Sequence, residues 1–232
     1  MKAFDQLFSG YPIRKVKKGQ VILSPEVKKR RIVYWIQDGY VQKYFSSQKG
    51  EILYVSLFDP SSFLPLSASI NNSPIHFTHE ALTDLTVMEI PKDIFLQTLY
   101  NNPIFMKTAL AYVLQETTLL KEKLVYLTLE KALTRVAYGL CFFAGYFGKD
   151  KKGEIVFDII LSQNEIANWL GLTRESVNSQ LSYLSSEYLI RFDGKRLVIP
   201  NISHLKQTIL FEEQLAMRQN IKQIYLQYFE NP

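Results

Sequence analysis

Apolar and polar positions follow two different periods along this 232-residue chain. In residues 1–100, β-branched and aromatic residues form short runs that are separated by glycine and proline turn signals. Runs of this length predict strands, and short strands at regular spacing are typical of a β-barrel or jelly roll. The predicted strands are residues 20–23, 31–36, 40–45, 51–58, 76–81 and 86–90.

From residue 91 onward, apolar positions repeat every three or four residues, which is the period of an α-helix. We predict a short helix over residues 91–100, a long one from residue 103 to a hinge at residues 126–128, and a third over residues 128–147. The apolar stripe of the long helix is too wide for the surface of a monomer, so we expect burial against the barrel and against a second body. The stripe consists of Phe105, Ala109, Tyr112, Val113, Leu119, Leu120, Leu124 and Leu127.

Residues 161–184 predict two short helices joined by a tight turn. Ser162 and Glu165 have the spacing of a capping box. Gly171, which can adopt the left-handed conformation, would end the first helix, and Thr173 would cap the second. Two helices that cross steeply form a helix-turn-helix, whose second helix enters the major groove of DNA. The expected buried residues are Ile166, Ala167, Trp169, Leu170, Val177, Leu181 and Leu184.

The residues after this motif predict a hairpin and a further helix. Asp193 and Gly194 mark a tight turn within residues 190–199, which is the strongest local hairpin signal of the chain. A hairpin directly after the second helix of a helix-turn-helix would be a wing. The last predicted helix covers residues 201–229.

The helix-turn-helix segment resembles that of the cAMP receptor protein/FNR family of bacterial transcription regulators. The matching residues are Glu165-Ile166-Ala167, Gly171-Leu172-Thr173-Arg174-Glu175-Ser176-Val177 and Leu181 to Leu184. Residues 15–94 are similar, more weakly, to the cyclic-nucleotide-binding β-roll of the same family. The resemblance implies an α+β chain with an N-terminal cyclic-nucleotide-binding-like β-roll (jelly roll), a long dimerisation helix and a C-terminal winged helix-turn-helix.

The same resemblance implies a division of the chain into four parts. These are a β-roll sensor or effector domain over residues 1–100, a dimerisation helix with a hinge over residues 101–127, a winged helix-turn-helix DNA-binding domain over residues 128–200 and a helical extension over residues 201–232. A usual family member ends soon after the wing, so the extension is a departure from the family.

Two departures from the family pattern restrict which effector the β-roll could bind. Members that bind cAMP carry a Gly-Glu pair for the ribose and an Arg-Ser pair for the cyclic phosphate, and neither pair is present in residues 59–66 or 73–79. No cysteine precedes Cys141, which excludes an N-terminal cysteine-ligated cluster. We therefore expect an apolar or aromatic effector, or none, and no cofactor. The expected pocket residues are Phe63, Leu64, Leu66, His76, Thr78, Tyr112 and Leu119.

The resemblance also implies roles for residues of the second helix. Arg174 would make a bidentate contact with guanine, and Glu175 would accept a hydrogen bond from a cytosine amino group. The family often has an arginine where this chain has Ser179, and Asn178, which can pair with adenine, would partly replace it. The remaining predicted DNA-binding residues are the phosphate donors Thr173 and Ser176, then Gln180, Lys195 and Arg196.

Net charge does not contribute to this prediction. The formal net charge is +5, but residues 1–148 carry 17 Lys and Arg against 12 Asp and Glu, whereas residues 149–200 carry 7 of each. Affinity for DNA would therefore depend on a local basic surface. We expect the basic runs at residues 14–18 and 28–31 to be a solvated rim at strand edges.

Two other classes of function fit the sequence less well. An enzyme on a cupin-like barrel needs histidines and carboxylates around a metal, and His76, His79 and His204 are too few to supply them. We therefore expect neither a metal nor enzymatic activity. The alternative is a small-molecule-binding regulatory protein that acts through protein contacts and has a degenerate helix-turn-helix.

The expected location and partners follow from the same residues. No apolar run is long enough to span a bilayer, and the first residues lack the order of a signal peptide, so we expect a cytoplasmic protein without membrane contact. The expected partners are double-stranded DNA, a second copy of the chain and, for an activator, RNA polymerase. A small-molecule effector would be a further partner.

Overall fold

The computed structural model describes residues 7–8, 10–26 and 31–209 of the chain. These residues fall into two compact units, of which the first ends at Thr118 and the second begins at Leu119. Most of the helix predicted over residues 201–229, and most of the basic run at residues 28–31, lie outside the described residues. No helix among the described residues is long and apolar enough to cross a membrane.

The strands of the first unit form two four-stranded antiparallel sheets. The strands are β1 (Ile13–Val16), β2 (Val21–Leu23), β3 (Ile32–Asp38), β4 (Val41–Ser46), β5 (Ile52–Phe58), β6 (Phe63–Leu64), β7 (Thr78–Ala81) and β8 (Leu85–Pro91). One sheet has the order β1-β8-β3-β6 and the other the order β2-β7-β4-β5. All the strands predicted from the sequence are present, with ends that differ by about one or two residues, and they form the expected β-roll.

Three short elements of this unit were not predicted. They are β1, β6 and the helix α1 (Leu66–Ile70), which follows β6. β1 is an edge strand, and two cations of the basic run at residues 14–18 pair with acids of the same unit. Arg14 lies 3.5 Å from Glu89, and Lys17 lies 2.7 Å from Asp84. This agrees with the expected solvated rim.

Two buried clusters make up the core of the first unit. The first is largely aromatic and contains Phe8, Val33, Trp35, Phe63, Leu66, Met88, Ile90, Phe95, Leu99, Phe105 and Ala109. The second is mostly aliphatic and contains Val16, Ile22, Leu23, Ile36, Val41, Phe58, Leu64, Ile75, Ala81, Leu85 and Val87. Tyr112 packs against both clusters.

Three helices follow β8. They are α2 (Lys92–Asn101), α3 (Pro103–Leu129) and α4 (Ala132–Phe147). The helix break predicted at residues 126–128 lies slightly further along the chain, because α3 continues to Leu129 and the break lies at Glu130 and Lys131. Helical hydrogen bonding persists there, since the Glu130 backbone N–H still donates to the Tyr126 carbonyl oxygen at 3.2 Å.

The second unit combines helices with a third antiparallel sheet. Its elements after α4 are β9 (Gly148–Lys151), β10 (Glu154–Phe157), α5 (Gln163–Leu170), α6 (Arg174–Ser186), β11 (Arg191–Asp193), β12 (Arg196–Ile199) and α7 (Ile202–Lys206). The sheet has the order β11-β12-β10-β9. The last predicted helix does begin as expected, but it is not continuous, because α7 ends at Lys206 and turns follow.

Candidate nucleic-acid interface

The first helix of the pair, α5, begins and ends as its sequence predicts. The Ser162 hydroxyl oxygen accepts from the Glu165 backbone N–H at 3.1 Å, and the Glu165 carboxylate accepts from the Ser162 backbone N–H at 2.6 Å. This is a capping box. Gly171 ends the helix in the left-handed conformation, with φ 58° and ψ 40°. On α4, a Cβ at Gly139 would lie 2.8 Å from a Leu170 methyl group, so glycine permits the close approach of α4 to α5.

The second helix, α6, is held by its cap and by one buried face. The Thr173 hydroxyl oxygen accepts from the Ser176 backbone N–H at 3.1 Å, which leaves its own hydrogen available to donate. Val177, Leu181 and Leu184 are buried, as their spacing predicted. A helix of 13 residues is about 20 Å long, and its diameter of about 10 to 12 Å fits a DNA major groove about 12 Å wide.

The opposite face of α6 contains most of the residues predicted to contact DNA. Thr173, Arg174, Glu175, Asn178 and Ser179 are exposed, and Ser176 and Gln180 are half-buried. Within the described part of the chain, Arg174 and Glu175 form no ion pair. A cation and an anion therefore stand side by side, both exposed, at the start of the helix.

One side-chain contact on this face was not predicted. The Gln163 amide nitrogen, at the start of α5, donates to the Asn178 amide oxygen on α6 at 2.8 Å. The contact crosses the turn of the helix-turn-helix. The Asn178 oxygen is therefore bonded within the chain, whereas the predicted adenine contact would use both the oxygen and the nitrogen of the amide.

The hairpin after α6 is the predicted wing. Gly194, with φ +58°, lies in its turn, and Leu197 anchors β12 in the core. Lys195 and Arg196 are exposed at the tip. Arg191 pairs with Glu154, so its charge is balanced within the unit and contributes little to a basic surface.

The residues predicted to line an effector pocket have different surroundings. Phe63 stacks on Trp35 with ring centroids 5.5 Å apart, within the cluster that also contains Leu66. Leu64 belongs to the other cluster, and the Tyr112 hydroxyl donates to Ser62 at 2.9 Å. Of the remaining predicted residues, Thr78 is half-buried, His76 is exposed and Leu119 belongs to the second unit.

A polar cluster inside the first unit was also missed from the sequence. The Glu116 carboxylate on α3 accepts from the Lys43 ammonium and from the Ser56 hydroxyl, each at 2.8 Å. Lys43 and Ser56 are directly opposite in the pairing of β4 and β5. The Lys43 ammonium lies 5.6 Å from the centroid of the Phe58 ring. Glu116 interrupts the apolar stripe of α3 because it is the partner of this lysine.

The second unit buries a lysine beneath α5. The Lys123 ammonium lies 4.2 Å from the centroid of the Trp169 ring. Burial lowers the pKa of Lys123 to about 7. The adjacent Glu122 is also buried, and burial raises the pKa of its carboxyl. Both residues precede Tyr126, whose ring stacks on Tyr138 of α4 at 3.9 Å.

The two histidines of the β-roll differ in their burial. His79 is buried beside the Phe58 ring, at 5.8 Å between centroids, whereas His76 is exposed. The described residues contain no group of three or more His, Cys, Asp or Glu side chains that would hold a metal ion. Cys141 is buried, and burial raises the pKa of its thiol to about 12.

Known proteins match both units. Residues 13–102 match the family model of the cyclic nucleotide-binding domain, and residues 134–208 match that of the Crp-like helix-turn-helix domain. A probable transcriptional activator of Rhizobium leguminosarum bv. viciae is 28% identical over 131 residues, which are 56% of this chain and 55% of that protein. The transcriptional activator protein FnrL of Cereibacter sphaeroides is 27% identical over 156 residues, which are 66% of this chain and 62% of FnrL. The chain thus spans between about half and two thirds of the length of these relatives.

A solved structure shares the fold over most of its length. A transcriptional regulator of the CRP/FNR family from Thermus thermophilus has a TM-score of 0.68 and 21% identity, and the match covers 85% of this chain and 97% of that chain. The two family models match in the order of the two units, β-roll first and winged helix-turn-helix second. With the capped helix pair and its wing in place, the chain belongs to the cAMP receptor protein/FNR family of bacterial transcription regulators.

Proposed function

We propose that the chain regulates transcription by binding DNA sequence-specifically, as a homodimer on an inverted repeat, with α6 of each copy in the major groove. The observation that carries the proposal is the exposure of two charged side chains at the start of α6. Arg174 and Glu175 are exposed there, while Val177 on the other face is buried. Arginine suits guanine and glutamate suits the cytosine amino group, so this pair is able to read one base on each strand.

Contacts with phosphate would orient α6. Thr173 and Ser176 lie at its N-terminus, where backbone N–H groups and the helix dipole favour an anion. Lys195 and Arg196 at the tip of the wing are exposed and would contact the flanking backbone. Ser179 and Gln180 complete the proposed surface.

The homodimer is supported by an exposed stripe along α3. Leu110, Leu114 and Leu124 are 56%, 58% and 65% exposed in the single chain. The exposed positions Lys107, Leu110, Leu114, Thr117, Lys121, Leu124 and Thr128 follow one another in alternating steps of three and four residues. This period of 3.5 residues is that of the seam of a two-stranded coiled coil, in which Lys121 would favour one register at a cost in stability.

We further propose that the effector is a small molecule other than cAMP, or that none is needed. Glu116 already neutralises Lys43 inside the first unit. A cyclic phosphate would therefore meet no free cation at this lysine, and it would bring a second negative charge close to Glu116. An apolar or aromatic effector would not carry this penalty.

We also propose a role for each of the four parts of the chain. The four parts at residues 1–100, 101–127, 128–200 and 201–232 would act as sensor, dimerisation helix with hinge, DNA reader and extension. A regulator of this kind acts in the cytoplasm, and an activator would also contact RNA polymerase. The two relatives described above are named as transcriptional activators, and we assign no enzymatic activity to the chain.

The proposal is tested by replacing Arg174. We expect Arg174→Ala to cost about 1 to 3 kcal/mol of binding to a duplex selected from random sequences, because a base contact is lost, and much less on random duplex. Fluorescence anisotropy of both duplexes measures the difference. Lys151→Ala, which removes one exposed cation of the same unit outside the proposed surface, is the control and should leave the preference unchanged.

Two results would contradict the proposal. Equal losses on both duplexes would make Arg174 a contact to phosphate rather than to a base. A wild-type protein with no preference among sequences would favour the alternative, a regulator that acts through protein contacts.

A further inference from the structure

An amide pair joins the two helices of the helix-turn-helix on the side that faces away from the core. Gln163 is the first residue of α5, and Asn178 lies in the second turn of α6. The Gln163 Nε2 donates to the Asn178 Oδ1 at 2.8 Å. Both side chains are polar and accessible, since Gln163 is half-buried and Asn178 is exposed.

This hydrogen bond gives the Asn178 amide a direction. The oxygen accepts from the Gln163 side chain at the start of α5. The oxygen and nitrogen of an amide lie on opposite sides of one carbon atom. The Nδ2 group, with its two hydrogens, is therefore the part of Asn178 that is left for an external partner.

Asn178 is also well placed along α6. It follows Arg174 by four residues and so lies on the same face, about one turn further along the helix. Four residues correspond to about 6 Å of helix, and one base pair to about 3.4 Å of duplex. The base that Asn178 faces would thus lie about two base pairs from the one that Arg174 reads.

We propose that Gln163 determines base specificity by holding Asn178 as a hydrogen-bond donor. A lone donor selects guanine or thymine, whose major-groove edges present carbonyl oxygens, over adenine and cytosine, which present amino groups at the same place. The bidentate adenine contact expected from the sequence needs both the oxygen and the nitrogen of Asn178. The hydrogen bond from Gln163 occupies the oxygen and so disfavours this contact. The inference rests on the proposed DNA binding and adds the base class that is read at one position.

Replacement of Gln163 by glutamate reverses the direction of the hydrogen bond between residues 163 and 178. A carboxylate only accepts hydrogen bonds, so in Gln163→Glu the Asn178 amide turns about its last torsion, which is a soft one, and donates Nδ2 to the new carboxylate. The Asn178 oxygen then faces outward and selects adenine or cytosine. An acidic residue at the first position of a helix is favourable, so the variant should fold. Gln163→Ala releases the amide and should allow the adenine contact.

The experiment is selection of bound duplexes from a randomised library, followed by affinity measurements on duplexes that differ at one base. The position that Asn178 reads is the one at which Asn178→Ala loses its preference. There, we expect the wild type to prefer guanine or thymine roughly three- to tenfold, Gln163→Glu to prefer adenine or cytosine, and Gln163→Ala to shift toward adenine. Asn164→Ala, which removes an exposed amide of α5 without a hydrogen bond to the described part of α6, should behave as the wild type.

The outcomes separate this inference from the proposed function. If the wild type and Gln163 variants bind selected DNA and share one base preference at the Asn178 position, the inference is wrong and the proposed function stands. If the wild type selects no sequence from the library, the proposed function fails. A wild type that already prefers adenine at this position also overturns the inference.

Discussion

Each unit of the molecule places a lysine beside an aromatic ring, but the surroundings act on the two charges in different ways. In the first unit the Lys43 ammonium is 2.8 Å from the Glu116 carboxylate, and the two side chains are only 17% and 19% exposed. In the second unit Lys123 lies over the Trp169 ring, and burial lowers its pKa to about 7. The first arrangement fixes a charge by pairing it, whereas the second makes the charged form itself unfavourable.

The difference has consequences for what each lysine does. The ion pair of the first unit joins strand β4 to helix α3, so breaking it leaves a charge without its partner in a poorly solvated place. The lysine of the second unit responds to the proton concentration near neutrality, because its folded-state pKa lies within the physiological range. It contacts Trp169 of α5, the helix that precedes the proposed reader.

The largest effect that we expect is the pH dependence of Lys123. Its pKa is about 7 in the folded chain and 10.5 when unperturbed, so between these values the unfolded chain binds more protons. Stability of the second unit should therefore rise with pH across this window, by about 1.4 kcal/mol per pH unit, and should be lowest below pH 7. Urea unfolding at several pH values, followed by Trp169 fluorescence in a Trp35→Phe background, measures it.

The matched control is Lys123→Met, which keeps the length of the side chain without the charge. It should be more stable than the wild type below pH 7, and the difference should shrink steadily toward pH 10.5. A difference between the two proteins that does not change with pH would show that Lys123 is not buried as a titrating group.

Removal of Lys43 should have the next largest effect. Lys43→Met leaves the Glu116 carboxylate with only the Ser56 hydroxyl among its observed partners and should destabilise the first unit by about 2 to 3 kcal/mol. The double variant Lys43→Met, Glu116→Met removes both charges and should recover most of this loss. Chemical denaturation of the two variants and the wild type measures both steps. If the double variant is no more stable than the single one, the pair does not act through its charge.

The smallest expected effect concerns the local cap of the helix-turn-helix. Ser162→Ala removes the oxygen that accepts from the Glu165 backbone N–H and should cost about 1 kcal/mol in the second unit. The first unit should be unaffected, because the cap is local. Thermal unfolding with probes in each unit measures the change, and Ser162→Asp, which can also cap, should retain the wild-type stability.

The helix-turn-helix was predictable almost residue by residue because its signals are local. A capping box, a glycine at the left-handed position and an apolar stripe at three-and-four spacing lie within a few residues of one another. As these signals predicted, Ser162 caps the first helix, Gly171 ends it and Val177 is buried. The strands of the β-roll were predictable for the same reason. Short elements such as β6 and α1 were missed, since two to five residues carry too little periodicity.

The side-chain contacts were not predictable because they join distant residues. Lys43 and Glu116 are 73 positions apart, and only the odd place of Glu116 in an apolar stripe hinted at a partner. Gln163 and Asn178 are 15 positions apart, and their contact depends on the angle at which α5 and α6 cross. The predicted end of α3 lies too early, and its last turn contains Thr128, whose hydroxyl donates to the Leu124 carbonyl oxygen at 2.7 Å.

The most direct test of paired DNA reading by α6 is the composition of the complex with DNA. Analytical ultracentrifugation of the full chain with a selected duplex gives the number of chains bound. The same measurement on a duplex with one half-site scrambled shows how much of the affinity depends on having both half-sites. We expect two chains per selected duplex, half-sites about 34 to 36 Å apart, and a large loss of affinity on the scrambled duplex. One chain per duplex, with equal affinity for both, would contradict paired reading.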